Sequence, residues 1–367
     1  MVRTINDIDT PAILIEKSIM ENNISNMQRI AANNGVNLRV HIKTHKIPEL
    51  AKMQLKAGAV GIAVAKLGEA EIMVEAGVKD IQIANIITGP IKIKRLLRLH
   101  RKCFLQVGVD SEYNVRELAT AFEKSRRTLD VLIIINTGLN RCGLDNDRRI
   151  IKLADYCRSL KGIRLVGLMA HAGHAYAAST KEQIRKIGRF EGERLVEIAS
   201  ALRNCGHKIE VVSVGSTPTA RYCSEVKGVT ELRVGNYIFN DVAQVTLQII
   251  SDTSCAATIL SSIISRPSVG RLIIDAGSKA LALDRGAHGS DLISGYGRIV
   301  GGGGNIARLS EEHGIIEKPS KKFKVGDRIR IIPNHICTVM NLFDYAYLVD
   351  GQKVLKKLEI AARGMVN

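Results

Sequence analysis

Six residues, "HIKTHK" at 41–46, hold two histidines and two lysines at the end of an apolar run. Burial and neighbouring cations such as His41, His45 or Lys46 disfavour the charged form of an amine placed there, which makes it a nucleophile. Lys43 is so placed, and the chemistry open to it is Schiff-base formation with a carbonyl compound. "VGSTPT" (214–219) and "VGNY" (234–237) combine glycine with small hydrogen-bonding groups, as a phosphate ester requires. Gly215 and Gly235 permit close approach, and Ser216, Thr217 and Thr219 offer hydroxyls. "NTGLNRCG" (136–143) puts Arg141 in a glycine-bounded loop, where a guanidinium can bond an anionic ring oxygen or a carboxylate. "PNHIC" (333–337) spaces His335 and Cys337 at i, i+2, one face of an extended segment, and imidazole with thiolate suits zinc. Taken singly, each motif has an ordinary alternative: a solvated rim lysine, a plain turn, a loop ion pair, core packing.

Bringing these stretches together requires a repeating frame. Eight strand-like runs end at Lys43, Ala65, Asn85, Val109, Asn136, Ala170, Gly215 and Tyr237, separated by helix-like pieces such as 66–77 and 181–204. Eight strand–helix units over about 220 residues predict a parallel (β/α)8 TIM barrel of the α/β class, whose reactive groups gather where strands give way to loops. Lys43, the Arg141 loop, "HAGHAY" (171–176), "GSTPT" and "GNY" all fall at such ends. At the consecutive strands seven and eight, where such barrels commonly bind phosphate, the two glycine turns fit a phosphorylated carbonyl cofactor, pyridoxal phosphate. Beyond Phe239 the beat changes to strands separated by turns, as in "RLIIDAG", "VGDRIRIIP" and "YAYLVDGQKVLKKLEI", which predicts a second, mostly β domain. The expected division is an N-terminal strand joining the β domain (1–17), the barrel (18–243) and the C-terminal β domain (244–367).

Composition narrows the function classes. With 46% apolar and 24% charged residues in 367, the chain is that of an ordinary folded protein. Apolar runs such as "VLIII" are far shorter than a membrane span, and the first residues show no export signal, so a cytoplasmic protein is expected. Seven scattered cysteines without a CxxC pair argue against a disulfide framework or zinc finger. Lysine and arginine outnumber acids 53 to 36, a net charge of +17. The most basic stretch, 91–102, also spaces Ile93, Leu96, Leu97 and Leu99 as a helix packed on a core would, and no recognition motif accompanies it. Neither a nucleic-acid nor a membrane partner is expected. Walker, HExxH and GxSxG stretches are absent, which leaves P-loop hydrolysis, zincin proteolysis and elbow-serine hydrolysis without support.

In order along the chain, "VHIKTHK", "NTGLNRCGL", "GLMAHAGHAY", "VSVGSTPT", "ELRVGNYIFND", "DAGSKALALDRGAHG", "SEEHG" and "PNHICTVMNLFD" resemble the D-threonine aldolase / D-serine dehydratase family, pyridoxal-phosphate enzymes with an alanine racemase-like fold. The likeness runs from about Asp9 to the end. It implies that Lys43 carries the cofactor covalently and that Gly215, Ser216, Thr217, Gly235, Asn236 and Tyr237 hold its phosphate. It further implies that His41, Arg141, His171 and Tyr176 surround the cofactor, with Arg141 and Tyr176 near its ring. His335 and Cys337 are implied as ligands of a divalent metal, zinc or, as the alternative, manganese. A homodimer acting on a D-amino acid is implied as well. Of the family's two chemistries, dehydration gives a 2-oxo acid and ammonia, whereas aldol cleavage gives glycine and an aldehyde. The His-x-Cys pair resembles the dehydratases, since the best-known aldolases carry Asp in place of that cysteine. Asn136 departs from the family, which often has Asp there. An amino-acid racemase or a pyridoxal-phosphate carrier are further alternatives, although a carrier of this type has only the barrel.

Overall fold

The computed structural model describes residues 2–286 and 292–367; the last three residues of the 275–289 motif lie outside them. The chain enters through β1 (Ala12–Glu16) and then builds a closed ring of eight parallel strands. These are β2 (Asn37–His41), β3 (Gly61–Val64), β4 (Asp80–Ile83), β5 (Phe104–Val109), β6 (Leu129–Ile134), β7 (Ile163–Met169), β8 (Val211–Val214) and β9 (Glu231–Val234), with β9 pairing back to β2. The barrel expected from the sequence is therefore present, with helices between its strands.

Alternate residues of each strand face the helices: Leu38 and Val40, Ile62 and Val64, Leu105 and Val107, Val212 and Val214, Leu232 and Val234 are buried in one continuous apolar layer. Inward-facing residues divide the interior in two. Leu132, Ile134, Val166 and Met169 form an apolar half. Opposite them stands a polar half centred on Glu231. Its carboxylate accepts from Arg39 Nε at 2.7 Å, Gln82 Nε2 at 3.1 Å and Ser213 Oγ at 2.7 Å. Arg39 also pairs with Asp80 at 2.6 Å, and Arg233 Nη1 donates to Ser213 Oγ at 2.5 Å. Glycine at position 61 is required here, because a Cβ there would come within 2.3 Å of the Arg39 guanidinium. The network runs along the barrel axis and delivers Arg233 to the mouth.

The segment predicted as a basic amphipathic helix is Pro90–Leu99. It buries Ile93, Leu96 and Leu99 and turns its cations outward. Among the described residues no helix is long and apolar enough to cross a membrane.

The second unit is a sheet of nine described strands: β1, β10 (Ala257–Ser268), β11 (Arg271–Ile274), β12 (Arg298–Ile299), β13 (Ile306–Leu309), β14 (Gly314–Glu317), β15 (Arg328–Ile332), β16 (Tyr345–Asp350) and β17 (Lys353–Glu359). β1 lies between β10, antiparallel, and β16, parallel, which puts the start of the chain inside a sheet made otherwise of its end.

Most barrel strands end one to three residues earlier than their apolar runs suggested. At two of the ends a 3-10 turn follows, Ile42–Thr44 after β2 and Asn236–Ile238 after β9. Lys43 and Asn236 thus stand in turns rather than in the ladder, where a strand would alternate them in and out. Replacing Glu231 by alanine leaves Arg39 and Arg233 without their shared anion, and this is expected to cost about 3–5 kcal/mol. By contrast, Lys152→Ala removes an exposed 2.9 Å pair with Glu112 and should change stability by under about 1 kcal/mol, both values being read from urea unfolding.

Candidate functional site

A cavity of about 680 Å³ opens at the C-terminal mouth of the barrel and is walled on its far side by the β domain. Lys43 lines it, half-buried, from the turn after β2. Burial lowers the amine's pKa, Cys337 opposes that shift and Arg141 adds to it, so the neutral, nucleophilic form is favoured over that of a free lysine. His41 and His171 line the cavity beside it. Burial, followed by the charge of Lys43, pushes both well below the ordinary histidine value, and they are neutral. His41 Nδ1 accepts from the Lys43 N–H at 3.4 Å, while His171 Nδ1 donates to the Gly215 carbonyl at 3.1 Å, which fixes the two tautomers.

Ser216, Thr217, Gly235 and Asn236 line the cavity from the loops after β8 and β9. Gly215 and Tyr237, grouped with them in the sequence, stand one layer back. Gly215 is in the left-handed region, at φ +118°, and supports His171. Tyr237 gives its N–H to Thr217 Oγ1 at 3.2 Å, and its buried hydroxyl accepts from Gln54 at 2.8 Å. Tyr176 enters from the 3-10 turn Gly173–Ala177, and its hydroxyl accepts from Gln244 Nε2 at 2.9 Å. Burial, with Asp241 and Cys337 adding, raises its pKa well above the ordinary value, so the phenol keeps its proton.

Arg141 lines the cavity from an exposed loop that Asn136 organises. The Asn136 carbonyl oxygen accepts from Gly138 N at 3.1 Å and Asn140 N at 3.0 Å, and its amide donates to Asn140 Oδ1 at 2.9 Å. An aspartate could accept the first two bonds but not donate the third, so asparagine suits its Asn140 neighbour.

His335 and Cys337 meet the cavity from the β domain. The segment is not extended throughout as the i, i+2 spacing assumed: residues Ile336–Met340 form a helix, and His335 is its extended N-cap at φ −140°, ψ 98°. That kink brings the imidazole back beside the thiol. His335 Nδ1 bonds Asp284 Oδ2 at 2.9 Å, an arrangement that orients a metal-binding imidazole. Burial opposes the imidazolium, but Cys337 and Asp284 outweigh it and push His335 up to about 10. Burial likewise raises the Cys337 thiol, yet His335 and Lys43 carry it below its ordinary value. Its Sγ lies 3.3 Å from Thr44 Oγ1.

Four contributors escaped the sequence reading. Arg233 lines the cavity and donates to the Ala170 carbonyl as well as to Ser213. Its signal was available: charges at alternate positions of "ELRV", in a strand that parallel burial should make apolar. Asp241 and Asp284 act on residues 95 and 51 positions away, and no local pattern announces that. Glu191, in mid-helix, reads as a solvated residue but is fully buried behind the turn after β8.

The groups present suit a phosphorylated pyridine aldehyde. There is an amine of lowered pKa for the carbonyl, hydroxyls and turn N–H groups for the phosphate, and arginines for the ring and its oxygen. The cavity-lining Thr137 Oγ1 is buried with no partner among the described residues. A metal would find one imidazole and one thiolate. Among the described residues no group of three or more His, Cys, Asp or Glu side chains is placed to hold an ion, so further positions would fall to water or substrate.

Residues 15–242 match the family model described as alanine racemase, N-terminal domain, and residues 256–349 match that of a serine dehydratase domain. The chain is 35% identical over 355 residues to D-threo-3-hydroxyaspartate dehydratase of Delftia sp. (strain HT23), covering 92% of this chain and 93% of that one. The crystal structure of D-threonine aldolase from Filomicrobium marinum superposes with a TM-score of 0.92 at 29% identity, over 100% and 99% of the two chains. A D-threo-3-hydroxyaspartate dehydratase with one cysteine changed to alanine, described as the metal-free form, superposes at 0.90 with 32% identity over 96% and 97%. With its barrel, its β domain and nearly its whole length accounted for in this way, the chain belongs to the D-threonine aldolase / D-serine dehydratase family of alanine racemase-like proteins.

Proposed function

We propose that the protein is a pyridoxal phosphate- and divalent metal-dependent lyase of the D-serine/D-threonine dehydratase type, converting D-3-hydroxy amino acids to 2-oxo acids and ammonia. One observation carries the reading. A single cavity places the activated amine of Lys43 on the barrel side and the His335–Cys337 pair on the β-domain side, near enough that the thiolate and the amine shift each other's pKa. In this reading the barrel, 18–243, binds the cofactor, and 244–367, joined by 1–17, supplies the metal ligands. We take the protein to be cytoplasmic and homodimeric, the dimer being supported by the same family likeness.

Lys43 would hold the cofactor, with Ser216, Thr217, Gly235 and Asn236 at its phosphate. Once bound, pyridoxal phosphate supplies an electron sink for the pair left at Cα, and zinc or manganese supplies a Lewis acid for the β-hydroxyl. The protein's own groups do the rest. As a free amine, Lys43 Nζ would be a base of lowered pKa able to take the Cα proton. Tyr176 keeps its phenolic proton and can only donate or orient. His41 and His171, both neutral, add no further cation to a site already holding Arg141 and Arg233. Asp284 holds His335 by Nδ1 and leaves Nε2 as the ligand atom. Between elimination and aldol cleavage, the likeness of the His335-x-Cys337 pair to the dehydratases supports elimination.

Behind the turn, Glu191 accepts N–H groups from Ala172, at 2.9 Å, and from Gly215. Burial raises its pKa to about 7, with Gly215, Arg233 and Ala172 opposing the shift.

Protein incubated with pyridoxal phosphate and Zn²⁺ or Mn²⁺ is expected to release ammonia and 2-oxo acid, without glycine, from D-serine and D-threonine; glycine with acetaldehyde would instead select the aldolase. The wild type should show an absorption band near the edge of the visible that Lys43→Ala lacks, and the same variant should be inactive. Since the folded pKa of Glu191 lies above its unfolded value, its contribution to stability is complete below about pH 4.5 and is lost as pH rises through about 7. Between pH 5 and 8 the wild type should therefore lose up to about 3 kcal/mol more than Glu191→Gln, measured by urea unfolding at each pH.

A further inference from the structure

Asp241, the last residue of "ELRVGNYIFND", is fully buried, and among the described residues its hydrogen bonds go to Asn236, Gln244 and Ile336 where the two halves of the cavity meet. Its Oδ2 accepts from Asn236 Nδ2 at 2.5 Å and from Ile336 N at 3.1 Å. Asn236 lines the cavity in the turn after β9, and Ile336 N lies between His335 and Cys337. Its Oδ1 accepts from Gln244 N at 3.3 Å, capping the helix Val242–Thr246, and Gln244 in turn holds the Tyr176 hydroxyl. Val242 N to the Pro333 carbonyl, 3.1 Å, and Ala243 N to the Asn334 carbonyl, 3.3 Å, lay this helix along the approach to His335.

A carboxylate only accepts, so it fixes which end of the Asn236 amide it meets. Nδ2 faces Asp241, and Oδ1 is left buried without a partner among the described residues. A buried charge is tolerated only while its hydrogen bonds are made, and here those bonds come from two domains at once. Moving the Asn236 turn away from its place moves the anion that receives Ile336 N, and shifting the His335–Cys337 segment pulls on the same oxygen.

We propose that Asp241 is a positioning residue that couples the phosphate turn to the His335–Cys337 pair, so that occupation of either site strengthens binding at the other. The proposal rests on the functional reading above and adds to it a linkage between the two sites. By thermodynamic reciprocity, the factor by which cofactor improves metal affinity equals the factor by which metal improves cofactor affinity.

The test uses the full-length protein and two probes, pyridoxal phosphate and Zn²⁺, with no turnover. Zinc affinity is measured by competition with a fluorescent chelator, with and without saturating cofactor; cofactor affinity is measured by its visible absorption, with and without zinc. In the wild type both ratios are expected near tenfold. In Asp241→Leu, which accepts none of the three N–H groups, each probe still binds but both ratios fall to about one. Asn236→Ala, which cuts only the phosphate-side bond, should lower the ratio in the same way and serves if Asp241→Leu does not fold. Wild-type ratios of one, or tenfold ratios retained in both variants, overturn the coupling while leaving the lyase reading intact. A wild type that binds neither probe overturns the lyase reading and this inference with it.

Discussion

The carboxylate of Glu231 makes the rest of the molecule possible. A site built to hold anions and to keep an amine uncharged collects cations, and the barrel carries Arg39 and Arg233 into a space with little water to solvate them. Glu231 bonds Arg39 directly and reaches Arg233 through Ser213. Burial and the other arginines lower the pKa of Arg233, and Glu231 and Glu191 are the charges that hold it up. With that balance in place, a fixed guanidinium shares the cavity with Lys43 and adds to the lowering of the amine's pKa. Active-site electrostatics here begin several residues below the mouth, in the filling of the barrel.

How much of this was visible beforehand follows from the range over which each signal acts. The strands and helices declare themselves locally: "VLIII" has no alternative in a covered parallel strand, and the helix Lys181–Asn204 occupies the residues its period marked. Lys43, Arg141, Tyr176, Ser216, Thr217 and Asn236 were legible because strand-to-loop junctions in a barrel are functional positions, and all of them line the cavity. Tyr237 and Gly215 belong to the right loops but do not line the cavity: the three-residue turn Asn236–Ile238 cannot aim every side chain the same way, and Gly215 has none to aim. His335 and Cys337 were found through their residue types, while the helix that joins them was not. The supporting acids, Asp241, Asp284 and Glu191, were illegible because what defines each is a partner far off in the chain.

The two sides of the cavity are also unlike in construction. The barrel side is held more firmly, with Lys43, Ser216, Gly235 and Asn236 close to the ends of hydrogen-bonded strands. The β-domain side offers one imidazole and one thiol, the first steered by Asp284 and the second beside Thr44, from the same turn as Lys43. A metal held by that pair, as proposed, would keep its remaining positions for exchange with substrate, and its geometry would depend on neighbours such as Asp284.

The position of β1 has a temporal meaning. Its partners, β10 and β16, lie more than 200 and 300 residues further along, so every hydrogen bond it makes closes a very long loop. During synthesis the barrel strands are complete before any of those partners exists; β1 can pair with β10 only after all eight have emerged, and with β16 later still. The half of the cavity that carries His335 and Cys337 is therefore the last to assemble, and a nascent chain holds its amine in place well before it holds the imidazole and thiol opposite.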